Sequence, residues 1–167
     1  MQLNSLLEFL LAFLIAIIYG TFVEYTMHRL MHAGIVFGDQ HAKHHQDGTG
    51  KGWFEEFRNY ALPSISVLWF GFLYSPVAGI GFAAGGLLAS AFGAYAHQIQ
   101  HERPEMVFWL SRPVHFIHHR DKMWHHNFGI AVDFWDRLFG TYKPGDWEAD
   151  KKNMRQSLRG LADIRWF

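Results

Sequence analysis

The chain has 167 residues, 50% of them hydrophobic and 17% aromatic, and its 15 basic side chains balance 15 acidic ones. That length argues for one domain, and the charge balance disfavours a free-standing nucleic-acid module. Cysteine is absent, which excludes disulfide frameworks, thiolate metal sites, iron–sulfur clusters and cysteine nucleophiles together. Any metal site must therefore use His or carboxylates, and the twelve His are the compositional anomaly.

The first apolar block runs from Leu6 to Val23 with one charge, Glu8. It has no basic segment before it and no small-residue cleavage site after it, so a retained transmembrane helix over about 6–26 is expected, not a signal peptide. The second block, 61–76, opens with Pro63 and closes at Ser75-Pro76, a turn signal. The third, 77–96, carries Gly81/Gly85 and Gly86/Ser90 at the four-residue spacing used by close-packed membrane helices. The two read as a hairpin. Buried helices of a soluble bundle are the competing reading, but those would alternate with polar faces. All fifteen Lys and Arg lie in 29–58 or 103–165, which the positive-inside rule makes cytoplasmic. The expectation is an all-α, multi-pass integral membrane protein: about three transmembrane helices, a cytosolic His-rich cap over 27–58 and 97–142, and an amphipathic surface helix over 148–167.

Ten of the twelve His form four boxes: His28 and His32 in HRLMH; His41, His44 and His45 in HAKHH; His97 and His101 in HQIQH; His115, His118 and His119 in HFIHH. Positions i, i+3 and i+4 share a helix face, so each box presents its imidazoles toward a common point. The boxes open where helix one and the return helix of the hairpin leave the membrane. A pH sensor does not need this register in every cluster, and a bis-His haem protein leaves most of these His unexplained. Ten neutral ligands suit two metal ions at four or five each, with positions left for water, O2 or substrate. All-nitrogen ligation suits Fe, Zn, Cu or Ni. Glu24, four residues before His28, is expected to orient that imidazole, the other reading being a headgroup-level partner of Arg29. Asp121, Glu102 and Asp133 are weaker candidates by nearness alone.

The four boxes, with NFG at Asn127–Gly129 and FWDRLFGTY at Phe134–Tyr142, resemble the fatty acid hydroxylase / sterol desaturase superfamily of membrane di-iron enzymes. The resemblance covers about residues 20–142 and implies one membrane domain over 1–167. It implies that His28, His32, His41, His44, His45, His97, His101, His115, His118 and His119 hold two Fe ions, with Zn as an alternative occupant. Glu24 and Asn127 are expected to support them. The chemistry implied is O2- and electron-dependent hydroxylation or desaturation of a lipid drawn from the bilayer. No cytochrome b5 domain is fused, so electrons are expected from a separate ferredoxin- or cytochrome b5-like carrier. The chain is shorter than sterol-modifying members and closer in length to carotenoid ring hydroxylases, whereas its WDRLFGTY tail is more similar to the sterol desaturase branch, so the resemblance implies neither substrate. His125 and His126, outside the boxes, are cap residues or reserve ligands. Asp136 and Arg137 are expected to pair and close the cap, and Trp69, Phe70, Phe92, Tyr95 and Phe116 to wall a lipid pocket. The rival classes are a non-catalytic membrane metal-binding protein, a metal-dependent membrane hydrolase and a membrane haem carrier.

Overall fold

In the computed structural model, which describes residues 3–148 and 158–167, the first apolar block and the first His box belong to one unbroken helix, α1 (Leu3–His32). At 1.5 Å per residue it is about 45 Å long against a hydrocarbon core of about 30 Å. The surplus turns carry His28 and His32. The second long helix, α4 (Pro76–Glu102), likewise continues past its apolar run to carry His97 and His101. These two helices are long and apolar enough to cross a bilayer. Leu7, Leu10, Leu11, Leu14, Ile15 and Ile18 of α1 are exposed, an apolar face that water would not tolerate on this scale but lipid would. Among the described residues there is no strand.

The expected third span takes a different form. The second apolar block lies inside α3 (Trp53–Leu68), whose first turns hold Glu55, Glu56 and Arg58, and it ends in a 3-10 segment, Trp69–Leu73. It is not a separate long helix over 61–76. It packs along α4 and returns the chain to Ser75, which caps α4 by accepting from Ala78 N at 3.0 Å, with Pro76 at the first helical position. The Ser75 hydroxyl also donates to Glu8, tying the outer ends of α1 and α4 together.

The two small-residue pairs of α4 serve two different neighbours. A Cβ on Gly81 would stand 2.5 Å from the Phe9 carbonyl oxygen, and one on Gly85 2.3 Å from that of Phe13, so this pair lets α4 lie against the backbone of α1. Gly86 and Ser90 face α3 instead: a Cβ on Gly86 would meet Leu68 Cδ2 at 2.4 Å, and Ser90 Oγ lies 3.4 Å from Ser64 Oγ.

The cap is built from α2 (Gly38–Asp47), α5 (Val114–Arg120), α6 (Phe134–Leu138) and the loops between them. The C-terminal segment departs from the expected surface helix. Residues 149–157 lie outside the described residues; Leu158–Leu161 is a single 3-10 turn, and the extended chain after it runs back to the start of α3. There Trp53 N donates to Arg165 O at 2.8 Å and Phe54 N to Trp166 O at 2.9 Å, satisfying amides that a helix N-terminus leaves without partners. Ile164 packs with Ile99, Met106 and Val107 in a small core.

Gly85→Val is expected to force α1 from α4 and to destabilise the protein by about 1–3 kcal/mol, the usual cost of overpacking. Gly86→Ala, which meets only the flexible end of Leu68, is expected to cost less. Thermal unfolding in detergent distinguishes the two; equal losses contradict the assignment of the two faces.

Candidate metal centre

The four boxes ride on four helices, the C-terminal ends of α1 and α4 and the short helices α2 and α5. They do not make one site each. His28, His32, His41, His45 and His118 bring one nitrogen apiece within 4.8 Å of one another, and His44, His101, His115 and His119 do the same. The two HxxHH boxes are therefore divided. In each, the i and i+4 imidazoles join one cluster and the i+3 imidazole crosses to the other. The expectation that each box serves a common point holds only for the i, i+4 pairs. The clusters are adjacent, with the His45 and His119 rings stacked at 4.0 Å between centroids.

In the first cluster His32 Nε2 lies 3.2 Å from His28 Nε2, 2.9 Å from His41 Nε2, 3.2 Å from His45 Nε2 and 3.0 Å from His118 Nε2. A neutral imidazole has one N–H. His28 donates its own through Nδ1 to the Phe128 carbonyl at 2.7 Å, and His118 through Nδ1 to the His126 carbonyl at 2.6 Å. Their Nε2 atoms are then bare lone pairs, and the one proton that His32 Nε2 could carry cannot satisfy four neighbours. A cation at the convergence resolves the conflict, so this donor set fits a metal ion. The second cluster gives the same result. His101 Nε2 lies 3.1 Å from His115 Nε2 while its Nδ1 faces the Gly48 carbonyl at 3.2 Å, and both nitrogens of His119 and Nδ1 of His115 are buried without a hydrogen bond. His97 stands at the rim, its Nε2 3.2 Å from His44 Nε2. Burial, reinforced at His41 and His44 by the adjacent imidazoles, lowers the pKa of His41 to about 3, His44 to about 2, and His45 and His118 to about 4. His115 and His119 are also pushed down, by burial first and neighbouring His second. All are held in the neutral, metal-binding form.

Support for the imidazoles comes largely from the loop 126–131. Asn127 is fully buried with φ 59°, a left-handed turn that sends the carbonyls on either side of it to His118 and His28. Its side chain donates to Lys143 O at 2.8 Å and accepts from Lys143 N at 2.8 Å. Asn127 therefore touches no box histidine itself and acts through its neighbours' backbone. Glu24 departs from expectation in the same way: Oε1 accepts from Ile130 N at 2.8 Å and Ala131 N at 2.9 Å, holding the loop that orients His28 instead of the imidazole. Asp136 and Arg137 do not pair with each other. Asp136 accepts from Phe128 N at 2.9 Å, Gly129 N at 2.6 Å and Thr141 Oγ1 at 2.6 Å, while Arg137 pairs with Asp133 at 2.6 Å. Gln100, unnoticed in the sequence, accepts from His115 N at 2.9 Å and donates to Ile130 O at 2.8 Å.

Glu56 was also missed. It lies 3.3 Å from His97 Nδ1, both side chains 8% exposed. Burial opposes its charge, but His97 and the Lys51 amide outweigh it and bring its pKa down to about 2. Its position outside every box, among the other charged residues Glu55 and Arg58 at the start of α3, offered no signal. His125 and His126 stand outside both clusters; His126 contributes its carbonyl. Glu102 accepts from Arg165 N at 2.8 Å and Asp121 pairs with Arg120 at 2.6 Å, so neither supports a box histidine. The five pocket aromatics do not gather: Trp69 packs on Phe70, Phe92 and Tyr95 on Trp109, and Phe116 on Trp147. An open cleft of about 450 Å³ lined by Met31, Phe37, Asp39 and Trp124 reaches His32.

The family model for fatty acid hydroxylase matches residues 13–141, a span that holds all four boxes and the loop that orients them. The chain belongs to the fatty acid hydroxylase family. No curated protein and no solved structure matches it significantly. The family comprises membrane-bound oxidoreductases, hydroxylases and desaturases, with a metal site, and in this member the two histidine clusters are the groups that could hold one.

Two outcomes follow from this geometry. Unfolded imidazoles titrate near 6.5 while the native ones titrate well below it, so the unfolded chain binds more protons between those values. The metal-free protein is therefore expected to be most stable above about pH 6.5 and to lose stability as pH falls toward 4; a flat melting profile from pH 7.5 to 5 contradicts buried neutral clusters. Asn127→Ala removes the Lys143 bonds and strains a left-handed residue, a loss of about 2–3 kcal/mol that thermal unfolding checks, with Asn127→Gly expected to relieve only the strain.

Proposed function

We propose that this family member is a membrane-bound, O2-dependent lipid hydroxylase or desaturase that works with two iron ions, one per histidine cluster. The observation that carries the reading is the convergence of Nε2 lone pairs in two adjacent, all-imidazole clusters. Bound iron, supplied with electrons by a separate one-electron carrier protein, provides O2 activation and the oxidation of an unactivated C–H bond to an alcohol or, with loss of a second hydrogen, an alkene. The chain's own residues hold the imidazoles of the two clusters oriented, and the buried Phe128 ring packs against His28, His32 and His118 and excludes water from that side.

The same reading places the clusters on the cytoplasmic side, with α3 and its 3-10 segment returning beside α4 as a hairpin. The exposed apolar run of α1 reaches Tyr19, α6 exposes Phe134 and Leu138, and the exposed Phe139 that follows it lies beside Phe22, with Trp135 Nε1 donating to Thr21 Oγ1 at 3.0 Å. Those residues mark the bilayer boundary. His28 is six residues beyond Phe22, about 9 Å along the helix. A lipid whose tail stays in the bilayer then offers the clusters carbons near its polar end.

The test is metal content of anaerobically purified protein, with ¹⁸O2 incorporation into lipid extract as the readout of activity. About two irons per chain are expected in the native protein, and about one each in His118→Ala and His119→Ala, because these neighbours belong to different clusters. Two zincs that exclude iron, without O2 uptake, favour the non-catalytic metal protein. Membrane depth is read separately, since a chain without cysteine accepts single labels. A spin label at Leu138→Cys is expected to match Ile18→Cys in access to O2 and protection from an aqueous nickel complex, with Ile35→Cys the reverse; equal aqueous access at 138 and 35 overturns the placement.

A further inference from the structure

The two clusters are related residue by residue. Each takes the i and i+4 members of one HxxHH box and the i+3 member of the other, and draws on the HxxxH box at the end of a long helix: the first cluster holds both His28 and His32, the second holds His101 with His97 beside it, 3.2 Å from His44 between Nε2 atoms. In this correspondence His97 is the counterpart of His28. The two differ in what stands behind them. His28 Nδ1 donates to the neutral carbonyl of Phe128 at 2.7 Å. His97 Nδ1 faces the Glu56 carboxylate at 3.3 Å, within ion-pair range but not aligned as a hydrogen bond. Among the described residues Glu56 is the one carboxylate in ion-pair contact with a box histidine.

From this we infer that the two metal positions are inequivalent, and that Glu56, acting through His97 as a positioning residue, makes the His44/His97/His101/His115/His119 position the stronger donor. The inference rests on the proposed binding of two ions. A carboxylate behind a ligating imidazole fixes its tautomer and raises its basicity, whereas a carbonyl fixes the tautomer with less charge transfer. The ion at the Glu56 side is then held more tightly and oxidised more readily than its partner. A structural role for Glu56 exists too, because it accepts the Lys51 amide at 3.0 Å at the start of α3. Glutamine could accept that bond equally well. What glutamine cannot do is place a negative charge in a buried site, an arrangement that is costly unless a cation balances it. His97 lies beside the second cluster, its Nε2 3.2 Å from His44 Nε2 and its ring 4.7 Å from those of His101 and His115, so the charge of Glu56 reaches the cluster through it.

The experiment titrates the detergent-solubilised full chain anaerobically with Co(II) alone and follows the d–d absorption, comparing the native protein with Glu56→Gln and Glu56→Asp. The native chain is expected to fill two distinguishable positions. Glu56→Gln is expected to weaken one of them by about 10- to 100-fold and to leave the other unchanged, with Glu56→Asp recovering most of the loss. The weakened position is identified on a His119→Ala background, where Glu56→Gln is expected to add no further loss, and on a His118→Ala background, where it is expected to act in full. Helicity and elution volume establish that each variant is folded; if Glu56→Gln does not fold, the Glu56→Asp chain shifts one cobalt absorption band and not the other. Equal weakening of both positions, or no change in either, overturns the inference. Failure of the native chain to bind two ions overturns the metal reading instead, so the two failures are distinct.

Discussion

Everything in the cap answers one electrostatic constraint: imidazole lone pairs that face each other at about 3 Å repel unless a cation lies between them. Protons are a poor substitute, because burial and the mutual proximity of the rings disfavour imidazolium throughout the clusters. The structure accordingly fixes tautomers before any ion arrives, directing the Nδ1 hydrogens of His28 and His118 outward to carbonyls. Such preorganisation needs rigid supports. The ends of α1 and α4 supply them, since both helices are anchored along their apolar lengths by close backbone contact at Gly81 and Gly85.

The motifs flanking the boxes take their meaning from the same constraint. NFG and the FWDRLFGTY tail contain no ligand, yet they form one clamp. Asp136 gathers the amides of Phe128 and Gly129 with the Thr141 hydroxyl, Thr141 meets Tyr25 at 3.0 Å, and Asn127 joins Lys143 through both of its side-chain atoms. The loop held this way aims two carbonyls at two imidazoles in different parts of α1 and α5. Glu24 adds a second grip from the membrane helix. The two backbone amides that Glu24 accepts meet its hydrogen-bonding needs in a buried position.

The helical class, the boxes, the membrane helices and the small-residue stripes were legible because each is a short-range pattern with a period. What was illegible depends on tertiary contact. Nearness in sequence suggested that Glu24 serves His28 and that Asp136 pairs with Arg137; the carboxylates instead reach a loop 106 residues away and a turn of amides seven or eight residues back. Glu56 meets His97 across two elements, and no spacing rule links them. Hydropathy does not register where a helix starts, so the second apolar block gave no sign that α3 begins eight residues earlier, on a stretch that holds Glu55, Glu56 and Arg58. The proposed pocket failed for a related reason: aromatic identity says nothing about which rings share a wall.

One feature of the clusters was nonetheless written in the boxes. An α-helix turns about 100° per residue, so residues i and i+4 lie about 40° apart, while i+3 and i+4 lie about 100° apart. Two imidazoles separated by 40° can meet at one ion. A third at 100° from its neighbour is aimed elsewhere, and it finds a partner only if a second ion sits beside the first. HxxxH therefore suits a helix that faces one cluster, and HxxHH a helix lodged between two. The structure shows five histidines in one cluster and four in the other, with His44 and His118 as the crossing pair and His97 beside His44. The division of the histidines into two clusters thus follows from helix geometry, which sets the i+3 imidazole about 60° from i and about 100° from i+4.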